Sequence, residues 1–221
     1  NSMAEHLAKL RELFIELREM RLCLNKKKCV FLDDHAMFLG HKITKDGYQM
    51  VSKYATDIIR KWGSPSSAAA LSRWAAGINW HRRMIRSFST RIGPLRRLLK
   101  PGVKFEWTPE DEKIFRELNE ELIKPPILRT VDNHSPIYIF TDASKFGCAY
   151  AIMQRGEDGL FHPFLFGGQA LTDSQTRWPT HHQETLALVC ALVNHSNILT
   201  GRQLIAVTDS ANLQHFRTTF L

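Results

Sequence analysis

The stretch IYIFTDAS, residues 137–144, decides the fold, because its apolar run ends at the acidic residue Asp142. Aromatic and β-branched residues in a run of this length predict a strand over 137–142. The chain downstream continues with apolar segments separated by turn residues and one longer segment of helical periodicity. The predicted elements after residue 142 are strands 148–154 and 160–167, a helix over about 174–198, a strand over 203–208 and a short helix from Ala211.

Acidic residues stand at three points of this pattern. Asp142 ends the first strand, Glu184 opens the apolar helical stretch 185–189, and Asp209 ends the strand 204–208. Acids at two strand ends and one helix start can converge on one point, and clustered carboxylate oxygens bind Mg²⁺. The pattern therefore predicts phosphodiester chemistry, although Asp142 and Asp209 could instead form structural turns and Glu184 could simply be solvated.

Bulk composition narrows the class of protein. The chain has 221 residues and 43% hydrophobic content, which is enough for one large or two small domains with real cores. We find no apolar window long enough for a membrane span and no secretory leader. Its four cysteines include no C-x-x-C pair, which is typical of a reducing compartment. The sequence therefore predicts a soluble protein without a membrane partner, located in the cytoplasm or the nucleus.

Positive charge is concentrated in the middle of the chain. Residues 54–101 contain ten Lys/Arg and one Asp. Residues 1–53 contain ten Lys/Arg and seven Asp/Glu, and residues 102–221 contain ten Lys/Arg and fourteen Asp/Glu. The middle segment thus carries +9, more than the +8 of the whole chain. Such a concentration favours a polyphosphate partner, with a solvated basic helical face as the alternative.

The first half of the chain alternates between helical and strand patterns. Apolar residues at helical spacing predict an amphipathic helix over 5–20, and short strands with a hairpin follow over 29–47. Thr108 as N-cap and Pro109 at the first helical position predict a helix to about Ile123. Between these regions we predict a small basic unit with helical segments at 54–62, 68–78, 80–85 and 94–99.

Short strings of residues recur in a fixed order along the chain. The eight strings are Leu24-Asn25-x-x-Lys28-Cys29-x-Phe31, Phe38-Leu39-Gly40-His41, Asp46-Gly47, Ile78-Asn79-Trp80-His81-Arg82, Phe88-Ser89, Pro94-Leu95, Phe105-x-Trp107-Thr108 and Thr141-Asp142-Ala143-Ser144. In identity, order and spacing they resemble the reverse transcriptase polyprotein of gypsy-class long-terminal-repeat retrotransposons. The resemblance covers essentially the whole chain.

The resemblance implies a domain organisation. It implies the end of a polymerase palm over 1–52, a thumb over 53–101, a connecting helix and linker over 102–135, and an RNase H-like domain over 136–221. The implied fold class is α/β: a mixed sheet with flanking helices, lacking its last elements, preceded by a small helical thumb and a β-hairpin remnant of the palm. The polymerase aspartates of that family would lie upstream of residue 1.

The resemblance also implies a nuclease site. Asp142, Glu184 and Asp209 would bind two Mg²⁺ or Mn²⁺ ions at the scissile phosphate of the RNA strand, one activating water and the other stabilising the departing 3′ oxygen. The family has a fourth acid, for which this chain has no equivalent. A zinc site at His162, His181 and His182 is disfavoured, because the spacing of structural zinc ligands is lacking.

Nucleic-acid contacts are expected mainly in the thumb and at its border. Phe38, Leu39, Gly40 and His41 match the family's primer grip, and an ordinary hairpin is the alternative. A stripe of arginines could track a duplex backbone, with Trp80 and His81 against its minor groove. The stripe comprises Arg73, Arg82, Arg83, Arg86, Arg91, Arg96 and Arg97. Ser144 and Ser210 could contact a phosphate or sugar, or could cap the turns that follow them.

Two functions remain open on sequence grounds. The first is a fragment of a reverse transcriptase that hydrolyses RNA in RNA/DNA hybrids, with the rest of the polyprotein or a host protein as further partners. The second is a domesticated module without catalysis that binds protein or nucleic acid. A basic binding protein without retroelement ancestry would explain the charge but not the eight strings.

Overall fold

The structure, a computed structural model, describes residues 2–51, 63–124 and 126–208. The chain forms two units, Asn1–Asp34 and His35–Leu221. The helices predicted over 54–62 and from Ala211 lie outside the described residues. Within the described ranges, no helix is both long and apolar enough to cross a membrane.

The first unit is built on one amphipathic helix, α1 (Met3–Glu19), which confirms the helix predicted there. Ser2 caps it: the Ser2 hydroxyl accepts from the Glu5 backbone N–H, and the Glu5 carboxylate accepts from the Ser2 N–H. None of its residues is buried. The apolar stripe instead lines an open groove of about 780 Å³, in which Phe14 meets Phe31 edge to face at 6.1 Å.

The second unit begins with a three-stranded antiparallel sheet of β1 (His35–Phe38), β2 (His41–Thr44) and β3 (Gly47–Met50). The predicted hairpin is confirmed, whereas residues 29–31 form no strand. Leu39 and Gly40 connect β1 to β2 with φ angles of 48° and 79°. A two-residue turn with positive φ at both positions matches the twist of the strands, and glycine favours it.

A run of short helices follows. Its first helix, α2 (Ala68–Trp80), is capped by Ser67, whose hydroxyl accepts from the Ala70 N–H. The predicted helix over 80–85 is wrong, because only a 3-10 turn forms at Arg82–Met84. The segment predicted over 94–99 is a short helix and a further 3-10 turn. The remaining elements are α3 (Phe88–Arg91), α4 (Gly93–Arg96), the 3-10 turn Arg97–Leu99 and α5 (Pro109–Ile123).

The last region is the predicted mixed sheet with flanking helices. Its strand order is β6-β5-β4-β7, and only the β4–β7 pair is parallel. The helix predicted over 174–198 is wrong in extent, because Pro179 and His195 interrupt it. The elements are β4 (Ile137–Ser144), β5 (Gly147–Arg155), β6 (Phe161–Ala170), a 3-10 turn (Gln175–Arg177), α6 (Thr180–Asn194), α7 (Ser196–Leu199) and β7 (Leu204–Val207).

The two faces of this sheet belong to two different cores. Side chains alternate along a strand, so Tyr150 and Ile152 of β5 pack with Ala187 of α6 on one face. Ala151 of β5 and Phe166 of β6 pack on the other face with the helical segments. The same core includes Trp74, Ile85 and Leu95 of the residues 68–99, Leu118 and Leu122 of α5, and Met50 of β3.

Asp111 joins the short helices to α5. It is buried, accepts from the backbone N–H and hydroxyl of Thr108, and forms two hydrogen bonds of 2.6 Å with the Arg97 guanidinium. Burial opposes its ionisation, but the hydrogen bonds from Arg97 and Thr108 prevail and hold the pKa of the Asp111 carboxyl below its ordinary value. The predicted Thr108 cap is therefore confirmed, and Asp111 takes part both in this cap and in the ion pair with Arg97.

We predict that Asp111→Asn lowers the free energy of unfolding by about 1–3 kcal/mol, because a charged cap and a charged hydrogen-bond acceptor are lost together. Urea denaturation measures this change. Glu106→Gln is the matched control, since the Glu106 pair with Lys104 is largely exposed and should contribute less than about 0.5 kcal/mol. Equal losses in both variants would contradict a buried structural role for Asp111.

Candidate functional site

Asp142 lies inside β4, where it pairs with Ala149 of β5. The prediction that Asp142 ends its strand is therefore wrong, because the strand continues to Ser144. Strand alternation places Asp142 on the same face as Phe140, which packs against the core of the helical segments. Its side chain is exposed, and the Ser87 hydroxyl donates to its Oδ2 at 3.5 Å. One carboxylate is thus fixed on a rigid strand beside the short helices.

Glu184 lies in the second turn of α6, because the helix already begins at Thr180. Glu184 therefore lies inside the helix, as the prediction of a helix over about 174–198 implies, and directly precedes its apolar stretch. Gln183 and Ala187 form the buried side of α6, so Glu184 lies at the flank of that side and is partly exposed. Since α6 packs across β4, β5 and β6, Glu184 belongs to a helix in contact with the strand that carries Asp142.

The third predicted carboxylate, Asp209, and its neighbour Ser210 lie outside the described residues. Among the residues described, no third acid, histidine or cysteine joins Asp142 and Glu184 as a three-ligand cluster. The parallel ladder of β4 and β7 stops at the pair Phe140 and Val207. Asp142 follows that pair by two residues on β4, and the chain after Thr208 lies outside the described residues.

The helical segment forms one wall beside Asp142. Ser87 adopts a left-handed conformation with φ of 50°, and its carbonyl accepts from the Thr90 hydroxyl at 2.8 Å. Phe146, in the turn between β4 and β5, rests directly on Gly93, where an added Cβ would lie 2.2 Å from the Phe146 Cβ. Sequence reasoning missed the contact of Ser87 with Asp142. In the sequence, only the glycine at position 93 hints that the β4–β5 turn packs closely on the helical segment.

A second site is a pocket of about 490 Å³ between β2, β3 and the end of α2. It brings together five of the residues predicted to bind nucleic acid, namely His41, Trp80, His81, Arg82 and Arg83. They come from two regions some forty residues apart in sequence. The Trp80 indole is 76% exposed, and both arginines are exposed. Proteins that bind single-stranded nucleic acid combine aromatic groups, on which bases stack, with cationic groups that neutralise the phosphates.

The other predicted contacts lie around these two sites. Phe38 and Leu39 are exposed at 62% and 74%, and Gly40 completes their turn. Arg73 and Arg86 are exposed on the helical segment. Ser144 has a structural partner on each side: its hydroxyl accepts from the Phe146 N–H and donates to the Gly147 carbonyl. The alternative that Ser144 caps a turn is therefore confirmed, and its contact with a phosphate or sugar stays a prediction.

Two arginines of the predicted stripe have internal partners. Arg91 donates to the Glu121 carboxylate at 2.6 Å, and Arg97 forms the pair with Asp111 described above. Both acids belong to α5. The expectation that all seven arginines track a backbone is therefore wrong for these two, because their charge is neutralised within the fold.

The three histidines considered as zinc ligands lie at two separate places. His162 is bonded to the Asp158 carboxylate near the β5–β6 turn, whereas His181 and His182 stack on each other at the start of α6 with ring centres 4.3 Å apart. Among the described residues, none of the three joins a three-ligand cluster.

Part of the chain is similar to a known family of nuclease-like domains. Residues 107–206 match the family model of the RNase H-like domain found in reverse transcriptase. This match includes Asp142 and Glu184. The matched residues contain most of the mixed sheet and its flanking helices.

The chain is homologous to retrotransposon polyproteins over nearly its whole length. It is 32% identical over 212 residues to the retrovirus-related Pol polyprotein from transposon 412 of Drosophila melanogaster, and 26% identical over 214 residues to the transposon Tf2-3 polyprotein of Schizosaccharomyces pombe. These alignments cover 96% of this chain but only 17% and 16% of the relatives. The relatives are consistent with the gypsy-class resemblance.

Solved structures give the same fold. The foamy viral protease-reverse transcriptase dRH in complex with ds DNA matches with a TM-score of 0.78 at 23% identity, over 100% of this chain and 39% of that chain. The foamy viral protease-reverse transcriptase in complex with an RNA/DNA hybrid matches with a TM-score of 0.73 at 22% identity, over 98% and 30%. The likeness spans the small sheet, the short helices and the mixed sheet together.

We predict that Gly93→Ala lowers the free energy of unfolding by about 1–3 kcal/mol, because the new methyl overlaps Phe146. In the Gly93→Ala/Phe146→Ala double variant the two effects should not add, which a double-mutant cycle by urea denaturation measures. Gly63→Ala is the control: a Cβ there meets no atom within 4 Å, so the change should stay within about 0.5 kcal/mol. Additive effects of Gly93 and Phe146 would argue against their direct contact.

Proposed function

We propose that this chain is the thumb and RNase H part of a gypsy-like reverse transcriptase, and that it hydrolyses the RNA strand of RNA/DNA hybrids. The observation that carries the proposal is the place of Asp142, two residues beyond the carboxyl end of the described parallel ladder between β4 and β7. In open α/β sheets, ligands bind beyond the carboxyl ends of the strands. The family match over residues 107–206 supports nuclease activity as the function of this site.

The proposal requires carboxylates carried on different faces of the sheet to meet beyond the end of this ladder. Asp142 lies on the face that the short helices cover, whereas Glu184 is carried by α6 on the other face. Within a paired region of sheet these two side chains would be separated by the backbone. Past Phe140 and Val207 the described ladder between β4 and β7 has ended, and we expect groups from both faces to reach one space there. Asp209 follows the end of β7 by two residues in sequence.

The donor set fits a hard divalent cation. Asp142, Glu184 and Asp209 offer only carboxylate oxygens, which Mg²⁺ and Mn²⁺ prefer, and Asp142 remains exposed. A pair of such ions, when bound, lowers the pKa of the attacking water and offsets the charge on the departing oxygen. Ser87 holds the Asp142 carboxylate by its hydroxyl, which restricts the orientations that this carboxylate can adopt.

The basic segment supplies the grip on the duplex. Arg82 and Arg83 are exposed beside Trp80, and Arg73 and Arg86 add charge on the same segment. Hybrid duplexes are recognised through their backbone and 2′-hydroxyls, so cationic and hydrogen-bonding side chains are sufficient. The foamy viral proteins of this fold are complexed with dsDNA and with an RNA/DNA hybrid. By analogy we expect a nucleic-acid duplex as the partner of this chain.

We predict that this chain cleaves the RNA strand of a labelled RNA/DNA hybrid with Mg²⁺ or Mn²⁺, and that Asp142→Asn lowers the rate by about 100-fold or more, because a neutral amide binds the cation weakly. A gel-based cleavage assay measures both rates. Asp173→Asn is the control, since the Asp173 pair with Lys100 is exposed and belongs to no part of the site. Equal cleavage by the wild type and Asp142→Asn would reject the assigned site.

A wild type that binds the hybrid but does not cleave it would favour the second function, a binding module without catalysis. Binding is therefore measured separately, in EDTA, so that cleavage cannot consume the hybrid.

We predict that the affinity for the hybrid falls steeply between about 50 and 200 mM salt, a range in which six to ten phosphate contacts cost roughly 10³-fold. Arg83→Ala should weaken binding and make the slope of log K against log salt shallower by about 0.9, as expected for one lost phosphate contact. Fluorescence anisotropy in EDTA gives both values. Arg116→Ala is the control, because Arg116 is bonded to Glu112 on α5, and its slope should match the wild type. A flat salt dependence would speak against backbone binding.

A further inference from the structure

The pocket between β2, β3 and the end of α2 is cationic and contains two imidazoles. Among the described residues that line it, none is acidic. Its polar groups come from four sides: a histidine of β2, a tyrosine of β3, an amide at the end of α2, and a histidine and two arginines around the following 3-10 turn. These groups are His41, Tyr48, Asn79, His81, Arg82 and Arg83. Because these hydrogen-bond donors and cations have no acid among the described lining residues, the pocket favours an anion.

His41 is oriented by its own turn. Its Nδ1 lies 3.1 Å from the Leu39 carbonyl oxygen, which can only accept, so Nδ1 carries the proton. The neutral ring then keeps a lone pair on Nε2. The Tyr48 ring contacts the His41 ring edge to face at 6.1 Å, which fixes the plane of the imidazole.

His81 faces His41 from the thumb side, with ring centres 6.5 Å apart. Its Nδ1 is buried and has no hydrogen-bond partner among the described residues. Burial lowers the pKa of the His81 imidazole, and the neighbouring His41 lowers it further. At neutral pH the His81 ring is therefore uncharged in the free protein, because burial and His41 both disfavour its charged form.

The other titratable groups around the pocket act in the same direction. Arg82 and Arg83 are permanent cations, and burial raises the pKa of Tyr48 while the charge of Arg83 opposes that rise, so Tyr48 is neutral. On the side of the mixed sheet, burial and the same two arginines lower the pKa of His195, which is neutral as well. No described group that faces His81 supplies a negative charge, so an incoming anion would be the first.

We propose that this pocket binds a phosphate group of a nucleic-acid strand, and that the His81 imidazole takes up a proton when the phosphate enters. The inference rests on the proposed binding of nucleic acid but not on the proposed cleavage. Exposed Trp80 at the rim gives the adjoining base or sugar a surface to pack against. The grip on the strand therefore becomes tighter as the pH falls.

The direction of the pH dependence of binding follows from the linkage between protonation and phosphate binding. The folded pKa of His81 lies below its ordinary value of 6.5 without ligand, and a bound phosphate raises it by favouring the charged ring. Binding is accompanied by proton uptake at every pH between the free and the bound pKa. Within that window the affinity changes by up to about tenfold per pH unit for one proton, and it levels off outside the window.

The test measures the affinity for an RNA/DNA hybrid by fluorescence anisotropy in EDTA, at constant ionic strength, between about pH 5.5 and pH 8. For the wild type we expect the affinity to rise by about threefold to tenfold per unit of falling pH in part of this range. His81→Gln should flatten this dependence. His134→Gln is the matched control, because His134 is exposed and does not line the pocket, and it should retain the wild-type slope.

A second measurement does not depend on any variant. NMR titration of the wild-type histidine Cε1–H signals gives the pKa of His81 without and with bound hybrid, and we expect it to rise on binding. A pKa that stays the same or falls, or a pH dependence that is identical in the wild type and His81→Gln, overturns the proposal. Lack of any binding overturns it too, whereas lack of cleavage with proton-linked binding intact rejects only the proposed hydrolysis.

Discussion

The packing of the short helices on one face of the mixed sheet is the contact on which the rest of the second unit depends. Ala151 and Phe166 of the sheet share a core with Trp74, Leu95 and the buried side of α5. A sheet with one apolar face uncovered would expose that face to water, so the helices and the sheet stabilise each other. The pairing of Tyr48 with Leu128 adds the small sheet to the same body.

This packing determines the surroundings of both candidate sites. It places Ser87 beside Asp142, so that a hydroxyl from the helical segment contacts the carboxylate of the sheet. It also holds the turn that follows α2 next to β2, which is what brings His81 to His41. Nuclease chemistry and strand binding would therefore be coupled through one rigid core, and a change at the Gly93–Phe146 contact would affect the walls of the nuclease site.

The arginines of the helical segment divide into two groups with different physical roles. Arg91 and Arg97 neutralise acids of α5 and so belong to the internal electrostatics of the fold. Arg82 and Arg83 remain exposed around a pocket that has no acid among its described lining residues. The excess charge of residues 54–101 thus overstates what is available to a polyanion, since part of it is balanced by the acidic helix that follows.

Local patterns were enough to determine the strands, the Thr108 cap with its helix and the family, because alternation, capping and short motifs depend on neighbouring residues. They also placed Asp142 on the first strand of the mixed sheet. Only the tertiary structure decided that the helix carrying Glu184 begins at Thr180, that Ser87 reaches Asp142, and which arginines are neutralised. The physical reason is that contacts such as Ser87 with Asp142 join residues 55 positions apart, and no local periodicity records which distant side chain fills a given space.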